Sequence, residues 1–135
     1  MIKIKGLDHI VLRTAQIDSM QRFYLDVLGC TLERELGEAA GLRQLRAGLA
    51  IIDLINVDSE LGRVGGREAD SEGRNLDHFC LQIEPVSESE LIDYLQSHGI
   101  SAGEFAERYG AEGFGRSIYI QDPDGNTIEL KLKIK

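Results

Sequence analysis

Two histidines of this chain stand in the same local setting. His9 lies in "GLDHIVL" and His78 in "NLDHFCL", so the triplet Leu-Asp-His occurs twice inside strand-like runs. A strand sends successive side chains to opposite faces. In the first run Ile10 and Leu12 point one way, and Leu7, His9, Val11 and Arg13 the other. In the second, Phe79, Leu81 and Ile83 take one face and His78, Cys80 and Gln82 the opposite one. The last run divides likewise: Ile128, Leu130, Leu132 and Ile134 form an apolar face, and Thr127, Glu129, Lys131 and Lys133 a polar one. With the apolar faces packed on helices, His9, His78 and Glu129 fall on the polar side. Two imidazoles and a carboxylate suit Zn, Fe, Mn, Ni or Co. Three protein ligands leave coordination positions open for water or substrate, as catalytic centres do.

Asp53 interrupts the apolar run "LAIIDLI". A carboxylate buried there is costly unless it is paired or binds a cation. Its register is open. Four residues past a turn glycine, Gly125 gives Glu129 but Gly48 gives Ile52, whereas matching "IDL" to "IEL" makes Asp53 the counterpart of Glu129. Asp53 is thus either a fourth ligand or an internally paired carboxylate. Tyr119 shares a strand face with Ser117 and Gln121, on the alternation of the polar side. There it either hydrogen-bonds a ligated oxygen or simply packs. His98 falls in the last turn of a helix pattern, where an imidazole complements the helix dipole.

The elements that would position these groups repeat. A strand over 4–13, a helix over 17–28 and strands near 30–35, 42–46 and 49–57 give the order βαβββ. The order returns as a strand over 75–84, the helix "PVSESELIDYLQSHG", a strand near 100–105, a glycine-containing loop "ERYGAEGFG" and the strands "RSIYIQ" and "NTIELKLKIK". Ser87 and Glu90 have capping-box spacing, and "DPDG" is a strong turn signal. His9 and His78 stand 69 residues apart, and the helix-ending Gly29 and Gly99 stand 70 apart. Landmarks that keep register over a whole module point to an internal repeat. The expected organisation is one domain over 1–135, with a first module at about 4–57, a polar linker at about 58–74 and a second module at about 75–135.

The composition fits a globular chain of 135 residues, 42% hydrophobic and 28% charged. Its 15 basic and 23 acidic side chains leave a formal charge of −8, which argues against nucleic-acid binding. No apolar run reaches membrane-spanning length and no leader pattern opens the chain, so a cytoplasmic protein without membrane contact is expected. Cys30 and Cys80 lack metal or redox spacing and read as reduced thiols.

The chain resembles the vicinal oxygen chelate superfamily, which includes glyoxalase I, fosfomycin-resistance thiol transferases, bleomycin-resistance proteins and extradiol dioxygenases. The resemblance covers essentially the whole chain. It is carried by "GLDHIVL", "MQRFYLDVLG", "LAIIDLI", "LDHFCL" and above all "SIYIQDPDGNTIELK". It implies an α+β fold of two βαβββ modules forming a cupped mixed sheet with helices outside, and a divalent metal within the cup. His9, His78 and Glu129 fall on the family's usual ligand positions and Asp53 on the fourth position of glyoxalase I-like members. A homodimer is implied as well. The implied activity is that of a glyoxalase-like lyase or isomerase acting on a small oxygenated substrate. Glu129 is then the base, Asp53 lies opposite it, and Tyr119 assists. Thiol transfer would need cations for a phosphonate, for which Arg13, Arg43, Arg46 and Arg116 are candidates. Ring cleavage would need a histidine where Gly110, Ala111 and Glu112 stand. Metal-free drug sequestration belongs to relatives that lack the histidine–histidine–glutamate set.

Overall fold

The computed structural model describes residues 1–134. They divide into two compact units, 1–70 and the described residues from 71 on. The first runs β1 (His9–Thr14), α1 (Ile17–Arg22, continued by a π-helical turn Phe23–Val27), β2 (Thr31–Glu35), β3 (Leu42–Ala47), β4 (Ala50–Asn56) and a short helix α2 (Glu60–Arg63). The second runs β5 (His78–Ile83), α3 (Glu88–Ser97), β6 (Ala106–Gly110), β7 (Gly113–Gln121) and β8 (Thr127–Leu132). The sheet orders are β1-β4-β3-β2 and β5-β8-β7-β6. In each unit the outer strand pairs parallel with the last one, and the other pairs are antiparallel. This is the expected α+β fold of two βαβββ modules.

Each unit has its own apolar layer. In the first, Leu12, Leu45, Ile52 and Leu54 are buried on one sheet face, together with Met20, Phe23 and Tyr24 from α1 and its π-helical turn. In the second, Ile118, Ile120, Ile128 and Leu130 are buried with Leu91 and Leu95 of α3. Each such side chain contributes about 1.5–3 kcal/mol on leaving water. The helix ends follow the sequence signals. Ser87 accepts a hydrogen bond from the Glu90 backbone N–H at 3.1 Å. Gly29 and Gly99 close α1 and α3 at φ 73° and 71°, a conformation that a side chain disfavours.

Three expectations shift. The first strand begins at His9, not near residue 4, because its parallel pairing with β4 starts at His9 and Ile51 and β4 itself reaches back no further than Ala50. Residues 100–105 form no strand. Instead, part of the expected loop is β6, which turns into β7 through Ala111 and Glu112 with Gly110 opposite Gly113. The segment after β4 opens as the ordered helix α2, whose start is capped by the Ser59 hydroxyl accepting from the Gly62 N–H.

Candidate metal centre

The ladders place the chemistry. In the second unit Glu129 on β8 sits opposite Cys80, two residues beyond His78 on β5. In the first, Asp53 on β4 sits opposite Val11, two residues beyond His9 on β1. Asp53 is therefore the counterpart of Glu129. The conflict in turn spacing has a simple origin. Two residues, Gly48 and Leu49, join β3 to β4, whereas residues 122–126 join β7 to β8. The longer turn is self-contained: the Asp122 carboxylate accepts from the backbone N–H groups of Asp124 and Asn126 at 2.9 and 3.0 Å.

His78 Nε2 lies 3.2 Å from Glu129 Oε1, and its Nδ1 lies 2.7 Å from Asp77 Oδ2. Glu129 is buried at 6% exposure. With Nδ1–H donated to Asp77, an unprotonated Nε2 presents its lone pair to a carboxylate oxygen, and two acceptors at this distance need a proton or a cation between them. Tyr119 and Cys80 both sit opposite Glu129 on the flanking strands, close enough for its charge to act on them. Burial, followed by the Glu129 charge, raises the Tyr119 hydroxyl above its ordinary pKa. The same two causes raise Cys80 to about 11, so its thiol is a poor nucleophile at neutral pH. The Tyr119 and His78 rings make a T-shaped contact, centroids 5.3 Å apart.

In the first unit His9 Nδ1 lies 2.6 Å from Asp8 Oδ1. That hydrogen bond is the main reason its pKa is raised. Desolvation opposes it, and the Asp53 charge adds a smaller push upward. Asp53 is buried at 4% exposure. Its Oδ2 accepts from Gln44 Nε2 at 3.3 Å, while its Oδ1 is buried without a hydrogen-bond partner. An orphaned anionic oxygen in such a place costs stability unless a cation meets it. Each unit thus carries one Asp-His dipeptide and one buried carboxylate at the same rung, a donor set of nitrogen and oxygen that fits a divalent cation. Among the described residues, no three imidazole, thiol or carboxylate groups gather at coordinating distance. Of the four candidate ligands His9, Asp53, His78 and Glu129, the pair brought into direct contact among the described residues is His78 and Glu129.

The four arginines singled out for a phosphonate are all engaged. Arg13 donates to the carbonyls of Gly62, Gly66 and Arg67, pinning α2 and the residues after it against β1. Arg43 pairs with Asp18 and Glu35, Arg46 with Glu33, and Arg116 with Glu88. His98 caps α3, its Nδ1 3.0 Å from the Tyr94 carbonyl. Sequence reasoning passed over Arg108 on β6, whose guanidinium carbon lies 4.3 Å from the Tyr119 ring centroid. The signal was obscured because 107–115 reads as a loop; strand alternation would have put Arg108 on the Glu129 side.

The chain belongs to the Glyoxalase/Bleomycin resistance protein/Dioxygenase superfamily, a sequence model of which matches residues 6–130. It is 31% identical to virulence protein STM3117 of Salmonella typhimurium over 94% of this chain and 83% of that protein. It is 26% identical to a "Probable lactoylglutathione lyase" of Synechocystis, over 90% of this chain and 91% of that protein. Among solved structures, an integron cassette protein from the mobile metagenome of V. cholerae superposes with a TM-score of 0.75 at 29% identity, covering 99% of both chains.

Proposed function

We propose that the protein is a divalent-metal-dependent, glyoxalase-like lyase or isomerase acting on a small oxygenated substrate. His9, His78 and Glu129, with Asp53, would hold the ion. The observation that carries this reading is the pair of buried carboxylates at equivalent rungs, Glu129 against His78 and Asp53 with an oxygen that no group among the described residues satisfies. Likeness to a protein named as a probable lactoylglutathione lyase adds support for the reaction class.

The bound ion would supply charge stabilisation for adjacent oxygens of the substrate. The side chains do the rest. Glu129 would remove a proton from the hydroxyl-bearing carbon of a hydroxyketone and return it to the former carbonyl carbon, while the hydroxyl proton passes to the former carbonyl oxygen. Tyr119, opposite Glu129 on the neighbouring strand, would orient that carboxylate. Asp8 and Asp77 hold the two imidazoles by Nδ1, leaving each Nε2 as the donor atom.

Two measurements test the proposal. Metal analysis with calorimetric titration is expected to give one divalent ion per chain, bound at least about tenfold more weakly in His78→Ala and Glu129→Gln. Hydroxyketones incubated with the loaded protein in deuterated water are expected to gain deuterium next to the carbonyl, and Glu129→Gln is expected to abolish the exchange. A protein that takes up no metal reverts to the ligand-sequestering alternative. A loaded protein inactive in exchange across a broad hydroxyketone panel refutes the lyase or isomerase assignment and leaves thiol transfer or ring cleavage. Sedimentation of the same samples reads whether the active species is the homodimer.

A further inference from the structure

The polar face of the second sheet carries two cations, Lys131 and Arg108, besides the residues of the candidate metal centre. Glu129, Lys131, Tyr119, Ser117 and Arg108 follow one another across β8, β7 and β6 on the same alternation. Lys131 is buried at 4% exposure, and its ammonium donates to the Gly113 carbonyl. No carboxylate pairs with it among the described residues. Burying an ammonium with a single neutral acceptor is unfavourable and calls for a compensating anion nearby. Lys131 and Arg108 thus share this face with Glu129 and with Glu112, whose carboxylate accepts from Gln82 at the rung of Lys131.

Arg108 is arranged to receive such an anion. One terminal nitrogen donates to the Ser117 carbonyl at 2.6 Å and hydroxyl at 3.0 Å. The plane lies over the Tyr119 ring. These contacts fix the guanidinium and, among the described residues, leave its Nε and second terminal nitrogen without a hydrogen bond. That remaining edge offers two parallel N–H groups, the geometry that a carboxylate accepts in bidentate fashion. Arg108 is only partly buried, so a ligand reaches it. A single aromatic ring stands between it and His78: Tyr119 lies in a T-shaped contact with the histidine, centroids 5.3 Å apart, and the arginine sits over its face.

We propose that Arg108 is a specificity-determining residue that binds a carboxylate tail of the substrate, with Lys131 supplying a supporting positive field. The substrate class then narrows to small oxygenated acids, with adjacent oxygens at one end and a carboxylate a few atoms away. This assignment rests on the metal-dependent reading above.

The test uses zinc-loaded protein and two probes, 2-oxoglutarate and 2-oxopentanoate, which share the chelating end and chain length. They differ only in whether the far end is a carboxylate or a methyl group. Calorimetry is expected to show 2-oxoglutarate binding about tenfold or more tightly, the worth of a charge-assisted pair. Arg108→Gln is expected to bring the two probes within about twofold of each other, with zinc uptake and 2-oxopentanoate affinity unchanged. Arg108→Lys is expected to keep part of the preference, since it retains the charge but not the planar edge. A preference that survives Arg108→Gln, equal binding of the probes to wild-type protein, or a parallel loss of both probes in Arg108→Gln overturns the assignment. Wild-type protein that takes up no zinc brings down the metal-dependent reading and this inference with it. Equal probe binding to loaded protein brings down the inference alone.

Discussion

Replacing Asp53 by asparagine separates the cost of this residue from its use. The carboxylate is buried, with one oxygen weakly bonded to Gln44 and the other bonded to nothing. An unsatisfied buried acceptor costs about 1–3 kcal/mol, and more when charged. Asparagine keeps the shape and the Gln44 contact and removes the charge, while still burying one polar group. The expected gain in the metal-free protein is therefore only part of that range, about 1–2 kcal/mol. For a chain of this size that raises Tm by roughly 3–8 °C. With metal present the sign should reverse. A ligand that binds only the native state stabilises by RT ln(1 + [L]/Kd), about 2.7 kcal/mol at a hundredfold excess over Kd. The variant forfeits most of this as its Kd rises. Scanning calorimetry of wild-type and Asp53→Asn protein, with chelator and with zinc, reads both halves. A metal-free variant that melts lower than wild type, or an undiminished zinc-induced rise in Tm, would refute the view that Asp53 is held in an unfavourable state for the sake of a cation.

Other perturbations have equally definite outcomes. Leu45 is fully buried at the centre of the first sheet, and Leu45→Ala should cost about 2–5 kcal/mol in urea unfolding. A Cβ at Gly62 would lie 1.8 Å from the Asn56 carbonyl oxygen. Gly62→Ala should therefore dislodge α2, seen as new proteolytic cleavage between residues 59 and 67. Burial raises the Cys30 thiol from 9.0 to about 11. Its neutral form is favoured in the folded state, so its contribution is complete below pH 9 and is lost as pH rises towards 11. The loss amounts to roughly 3 kcal/mol, and Cys30→Ala should flatten that part of the stability profile.

What the sequence revealed depended on how far each feature is local. Alternation within single strands was sufficient to put His9, His78 and Glu129 on polar faces, because the period of two is a property of the strand itself. The repeat was legible for the same reason: Gly29 and Gly99 end helices through a backbone requirement that leaves a residue-level mark. Asp53 could not be placed, since its face depends on the length of the turn before β4, and only the ladder reveals that length. Arg108 was lost among the glycines of 107–115. Those glycines make room instead of breaking the strand: a Cβ at Gly110 or Gly115 would run into the Lys131 side chain at 2.6 or 2.9 Å. Two strand starts were misjudged where apolar residues, such as Ile4, had no partner strand beside them.

The unequal hairpins have a practical consequence. Both deliver a carboxylate to the same rung although one loop has three more residues than the other. The tip at Gly48 and Leu49, fully exposed, therefore tolerates added chain. A fluorophore-binding tag spliced there leaves the pocket-side chemistry alone. One codon inserted between Ala50 and Asp53 swings the carboxylate to the opposite side of the sheet, which marks where a library should be diversified and where it should be kept intact.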